Sequence, residues 1–255
     1  MTRSQRYCSD ELAHFVGRSL RDPEERYSLL LKILREGKLC HPDKTDIVLK
    51  TGPDGKQGWH VTQYVEHHLD KKLSSNEKYL PAVICFADIP VDELSLHVTK
   101  YSPFGLSFKR RFLLSKGANP VFYLARSAMT GVPKTASEEQ TYRVAELFDL
   151  AEEWLSRPLN REISSQGEPA STSVDSQERV VRDYLQLSLF PYMKFFDPLL
   201  TDEHKDNYYL EREWRAIAPI KFDLSDVERV LLPRAFAKRF RADLGDFFGQ
   251  VTFIG

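Results

Sequence analysis

Cysteine is scarce in this 255-residue chain: Cys8, Cys40 and Cys85 are odd in number, widely spaced and form no CxxC pair. That argues against a disulfide framework and for a reducing, intracellular setting. No run of about 18 apolar residues occurs, so no membrane-spanning helix is expected. The opening residues (MTRSQRYCSDEL) lack the apolar core of a signal peptide. A soluble, cytoplasmic protein with no membrane partner is the expectation. An excess of either charge is missing as well. Lys+Arg 36 against Asp+Glu 37 leaves a net charge of −1, which supplies no bulk field for nucleic acid or membrane. Local basic patches remain. GxGxxG, P-loop and GxSxG motifs are absent, and no cysteine stands in a catalytic signature. Neither HExxH nor a His-x3-His pair is present. His60, His67, His68 and Asp70 lie close in sequence, but adjacent His67 and His68 would point about 100° apart on a helix. No metal is expected.

What is present suffices for a core: 42% hydrophobic and 12% aromatic residues. Residues 11–17 (ELAHFVG) alternate weakly and predict a first strand carrying His14. Asp22-Pro23-Glu24-Glu25 predicts a helix start, and Gly37 its end. Residues 51–58 are a loop with two turn signals, and residues 59–73 suit a helix. The apolar run 81–86 predicts a buried strand stopped by Pro90. Residues 104–109 alternate as a half-buried strand, followed by the basic Lys109-Arg110-Arg111, and residues 121–125 predict another. Ser137 with Gln140 fits a capping box for a helix running to Leu155. Residues 156–178 lack periodicity and are rich in Ser, Pro and Gly, which predicts a flexible surface insert. Residues 180–190 suit a helix. Strands at 227–232 and 250–254 flank a basic amphipathic helix at 235–244. The pattern predicts one α+β domain over residues 1–255, with a central, mostly antiparallel sheet, flanking helices and the 156–178 insert within it.

The stretch with most chemical promise is residues 208–219 (YYLEREWRAIAP). As a strand it would put Glu211, Glu213 and Arg215 on one face and Leu210, Arg212, Trp214 and Ala216 on the other. Two carboxylates on one face can divide labour, one stabilising a developing cation and the other orienting a nucleophile. The oxocarbenium-like transition state of N-glycosidic cleavage needs such a negative group. The same residues also suit a charge ladder of surface ion pairs. His14 and Arg18 are candidates for a ribose and a phosphate contact, or His14 is a packed core histidine. In the run 85–126, Asp88, His97, Tyr101, Ser107 and Lys109 stand among aromatics. Tyr101 could stack a flat ring and Lys109 hold phosphate. Ser171-Thr-Ser173 falls in the insert and is treated as a decoy.

Four blocks resemble the AbiG abortive-infection family of phage-resistance proteins, in its AbiGi component: Cys85-Phe-Ala-Asp-Ile-Pro90, Tyr101-Ser-Pro-Phe-Gly-Leu-Ser-Phe-Lys109, Gly117-Ala-Asn-Pro-Val-Phe-Tyr123 and Tyr209-Leu-Glu-Arg-Glu-Trp-Arg215. The resemblance implies antiphage defence beside a partner defence or toxin protein, with a phage component as an alternative ligand. More remotely, the order of parts is similar to the ADP-ribosyltransferase fold: a first-strand His, a helix ending in Gly, a Tyr-containing middle and a late Glu. That similarity implies NAD as substrate and ADP-ribose transfer to a protein or nucleic-acid acceptor. Glu213 would be the catalytic glutamate and Glu211 would orient the acceptor. His14 would contact the ribose, Tyr101 stack on nicotinamide, and Arg18 or Lys109 hold pyrophosphate. The departures are Phe15-Val16-Gly17 after His14 and a Tyr101 that precedes its strand. The rival expectation is a non-catalytic antitoxin or phage sensor, with the basic helix around Lys238, Arg239 and Arg241 as interface.

Overall fold

Asp22 and Pro23 start the first helix by local chemistry alone. In the computed structural model the Asp22 carboxylate accepts a hydrogen bond from the Glu24 backbone N–H (3.1 Å), and Pro23 takes the first helical position. Gly37 ends the helix at φ 58°, where a Cβ would stand 2.5 Å from the Phe222 carbonyl oxygen, so only glycine fits. The structure describes residues 9–41, 48–51, 57–60, 65–90, 93–135, 140–156, 173–201, 204, 206–216 and 219–254.

In chain order the first elements are β1 (Glu11–Phe15), α1 (Pro23–Glu36), β2 (Lys38–Leu39), β3 (Val48–Thr51), β4 (Gln57–His60), β5 (Val65–His67), β6 (Tyr79–Pro81) and β7 (Ile84–Ala87). The middle contributes α2 (Ser95–Lys100), β8 (Gly105–Lys109), α3 (Arg110–Ser115), β9 (Asn119–Pro120), β10 (Phe122–Ala125), β11 (Met129–Pro133), β12 (Thr141–Arg143), α4 (Val144–Ser156) and α5 (Ser173–Tyr184). Last come β13 (Met193–Phe196), β14 (Glu213–Ala216), β15 (Ile220–Lys221), β16 (Val227–Pro233), α6 (Ala237–Asp243) and β17 (Gln250–Ile254). The fold is α+β, as the pattern predicts. These elements gather into two compact units: residues 1–64, 82–121 and 202–255 in the first, and 65–81 and 122–201 in the second.

The first unit is built on a seven-stranded sheet in the order β17-β16-β8-β1-β7-β14-β9, antiparallel except for the β16–β17 edge. Register decides which side chains share a face. Ala13 pairs with Ala87 and with Ser107, and Ala87 pairs with Glu213, so these residues point the same way. The alternate residues Leu12, Leu106, Phe86 and Trp214 point the other way, into the main core. Tyr27, Leu30 and Leu34 of α1, Leu113 of α3 and Phe240 of α6 cover that core face. Phe86, Phe104 and Phe108 are essentially inaccessible, and burying each such ring contributes about 1.5–3 kcal/mol. On the opposite face a smaller core joins Ala87, Ile89, Leu94 and Leu231, with Phe15 and Val98 packed beside it.

Gly105 sits where β8 meets β1, and a Cβ there would stand 2.7 Å from the His14 carbonyl oxygen. Gly105→Ala is therefore expected to cost about 1–3 kcal/mol, read as a lower unfolding midpoint with an unchanged denaturant slope.

The second unit holds a core of Leu73, Tyr79, Ala145, Phe190, Met193 and Phe195 under α4, with β10 and β13 paired in parallel. Its α5 runs into a π-turn over Leu185–Leu189, then a 3-10 turn over Phe190–Tyr192 that contains Pro191.

Several local expectations are corrected. Residues 57–60 and 65–67 are strands, and among the described residues of this stretch a helical turn forms only at Leu73–Ser75, so no helix spans 59–73. Gln57–His60 pairs with Val48–Thr51 across the expected loop, most of which lies outside the described residues. The run 81–86 is divided between β6 and β7, which belong to different units. The α4 helix begins at Val144 after a β11–β12 hairpin, its first turn closed by the Glu146 carboxylate accepting from the Arg143 N–H (2.9 Å). Ser137 lies outside the described residues. Of the expected insert, residues 157–172 also lie outside them, whereas Ser173 onward is helical.

Candidate functional site

The stretch 208–216 is not one strand. Tyr209–Glu211 form a 3-10 turn, Arg212 is left-handed at φ 41°, and β14 begins only at Glu213. A non-glycine residue in that conformation costs roughly 1–2 kcal/mol, and here it is pinned on both sides. The Arg212 carbonyl accepts from the Asp88 N–H (3.3 Å), and its guanidinium meets the Asp88 carboxylate at 3.0 Å. Glu213 and Arg215 share a face, as alternation predicts. Glu211 reaches the same region from the turn rather than from the strand.

Both candidate carboxylates are buried and neutralised. Arg215 Nε donates to Glu213 at 2.8 Å, and one of its terminal nitrogens lies 3.4 Å from the second carboxylate oxygen. Glu211 accepts from Lys100 Nζ at 2.8 Å and from the Tyr101 hydroxyl. Asp88, also buried, accepts from the Ser9 N–H at 3.0 Å besides facing Arg212. Each carboxylate thus has its own cation: Glu211 with Lys100, Glu213 with Arg215, Asp88 with Arg212.

Tyr101 is the centre of the cluster. It caps α2 through its backbone N–H to the His97 carbonyl (2.8 Å) and stacks on Phe15, ring centres 5.6 Å apart. The guanidinium of Arg18 lies 4.8 Å from the Tyr101 ring centre, a cation–π distance. Gly17 at φ 76° turns the chain after β1 just before Arg18. Lys100 Nζ stands 5.6 Å from the Tyr101 ring and 5.3 Å from that of Tyr208. Burial pushes the Tyr101 phenol far up; the charge and hydrogen bond of Glu211 push it further, Arg18 opposes, and Glu213 adds. Burial lowers His97, against the Glu211 charge and a bond to the Leu210 backbone. His97 forms a buried wall of the cluster, with its Nδ1 unbonded among the described residues.

The site thus brings Arg18, Tyr101, Glu211 and Glu213 together. His14 and Lys109 stand apart. His14 shares the core face with Leu12 and Phe86: its Nδ1 lies 2.8 Å from the Cys85 carbonyl and its ring 5.7 Å from Phe86. Glu213 shares the opposite face with Ala87 and Ala13, so the sheet separates His14 from it. Burial lowers the His14 pKa, against the pull of the Cys85 carbonyl. Lys109 ends β8, three strands away from β14, or about 14 Å at ordinary strand spacing, and pairs with Glu228 at 3.4 Å. Sequence reading missed Lys100 and the Asp88–Arg212 lock. No local signal marks either, because both partners are distant in the chain.

Removing the Tyr101 hydroxyl tests how far the cluster holds this region. Tyr101→Phe takes one bond from a buried carboxylate, and bonds to charged groups are worth about 1.5–3 kcal/mol. Chemical denaturation should show a loss of that size.

Residues 61–241 match the model of a family described as "Putative abortive phage resistance protein AbiGi, antitoxin". No curated protein matches the chain, and no solved structure does.

Proposed function

The chain belongs to this family of abortive phage resistance proteins, and on that premise we propose that it serves antiphage defence as an antitoxin, restraining a partner defence protein by binding it. One observation carries this reading: two helices of the second unit turn large apolar side chains outward. On α4, Leu150 and Trp154 are exposed four residues apart, hence on one stripe. On α5, Val180, Val181 and Tyr184 do the same. Large apolar side chains exposed along one stripe of a helix suit an interaction site, and Trp and Tyr dominate the energetics of such sites. No described helix is long and apolar enough to cross a membrane. The basic helix α6 is a weaker candidate interface, because Arg239 already pairs with Glu24 and with Asp243 (3.5 Å). The test is neutralisation of the partner by a chain lacking Trp154 and Tyr184.

A second reading is favoured by the gathering of Arg18, Tyr101, Glu211 and Glu213. In it the cluster takes NAD as substrate and transfers ADP-ribose to a protein or nucleic-acid acceptor. Glu213 stabilises the oxocarbenium ion, Glu211 orients the acceptor, Tyr101 stacks on nicotinamide and Arg18 meets pyrophosphate. The cations on Glu211 and Glu213 weigh against it, since each cancels the charge that the transition state would need. NAD consumption by the wild type and by a folded variant without the Glu213 charge separates the two readings.

A further inference from the structure

The second unit has a half-open pocket of about 200 Å³, lined from β6, α4, α5 and the turn after it, that the cluster described above does not use. Its floor is Glu152, 1% exposed, on the last turn but one of α4. This carboxylate accepts from Lys78 Nζ (2.5 Å), from the Tyr79 hydroxyl (2.6 Å) and from the Ser156 hydroxyl. A carboxylate offers about four lone-pair sites, so Glu152 is nearly saturated and Lys78 cancels its charge. Desolvation would raise its pKa, yet the bonds from Lys78, Ser156 and Tyr79 keep it lowered.

What remains to face the cavity is an excess of donors. Lys78, itself buried, carries three N–H groups, and one is used on Glu152. Arg182 on α5 is four-fifths buried, and its Nε has no hydrogen-bond partner among the described residues. Its terminal nitrogen pairs with Glu178 at 3.5 Å, one turn earlier on α5, which leaves the Nε–H without an acceptor among the described residues. A buried donor left unmade is costly in a native structure and marks a place where an acceptor belongs. Gln186, whose amide donates to Ser156 at 3.2 Å, sits in the π-turn Leu185–Leu189. Such turns recur at functional sites because the extra residue re-aims side chains.

We propose that this cavity binds a small oxyanion, a phosphate group in the first place, held by the Arg182 guanidinium and the Lys78 ammonium over the Glu152 floor. A guanidinium fork and a point-charge ammonium together suit three acceptor oxygens. The volume admits a phosphate or a small phosphorylated group, and none of the lining residues belongs to the Glu211–Glu213 cluster.

The experiment is titration calorimetry of the full chain with inorganic phosphate, sulfate and acetate, at ionic strength held constant with chloride. Phosphate is expected to bind saturably, with one site per chain. Arg182→Gln should weaken it at least tenfold while changing the ligand-free melting temperature little, because the loss of the partly exposed Glu178 pair is offset by removal of the unbonded donor. Arg182→Lys, which keeps the charge and loses the fork, should fall between. Acetate binding with the same dependence on Arg182 would support the oxyanion site and make its group a carboxylate. Heat from phosphate no greater than from chloride, or equal affinity in the wild type and Arg182→Gln, would overturn the proposal.

Discussion

Cells producing the partner defence protein should stop growing when the chain carries Trp154→Ala and Tyr184→Ala together, because the partner is then no longer restrained. Trp154 is 64% exposed and Tyr184 61%, so neither is needed to hold the fold. Substitutions at such positions ordinarily change stability by no more than about 0.5 kcal/mol. At the centre of an interface, each side chain would contribute 2 kcal/mol or more. If the two act independently, about 4 kcal/mol is lost, roughly a thousandfold in affinity. Calorimetry with the purified partner reads the affinity, and an unfolding curve on the same sample checks stability. An unchanged affinity in the folded double variant would remove α4 and α5 as the docking surface.

Glu213→Ala should be the most destabilising single change in the charged cluster. It takes away the carboxylate that Arg215, whose side chain is 11% exposed, meets at 2.8 Å. Breaking a buried pair from one side costs about 3–5 kcal/mol, while replacing both members with apolar residues of similar volume is often neutral. Glu213→Met with Arg215→Met should therefore recover most of what Glu213→Ala loses. Trp214 on the core face is untouched by either change. Denaturant midpoints for wild type, the single variant and the double variant measure this directly. A double variant no more stable than Glu213→Ala would mean that the pair has a further role in the fold.

How much of this was legible in the sequence depended on how local each determinant is. The ends of α1 were readable because Asp22, Pro23 and Gly37 act within a few residues of themselves. The alternation that sets Glu213 and Arg215 against Trp214 and Ala216 was readable for the same reason. The family was legible too, since its carrying blocks lie within the matched residues 61–241. The left-handed Arg212 was not, because its causes, the Asp88 N–H and carboxylate, lie far upstream. Nor was the separation of His14 from Glu213. Alternation on β1 puts His14 beside Leu12, but which of its faces meets Glu213 is decided by the Ala13–Ala87–Glu213 register across three strands. Residues 59–73 misled in another way. Their aromatic and histidine spacings fit a helical turn, while pairing with Val48–Thr51 and Tyr79–Pro81 made strands of 57–60 and 65–67.

On the proposed reading the chain acts by binding and restraining its partner, and the Glu211–Glu213 cluster is its scaffold. The most direct measurement is survival of phage-challenged cells, with NAD followed in parallel, for Glu213→Met/Arg215→Met against wild type. Equal protection, with no NAD loss attributable to either protein, is the predicted result. A stably folded double variant that no longer protects, and that spares NAD consumed by the wild type, would contradict it.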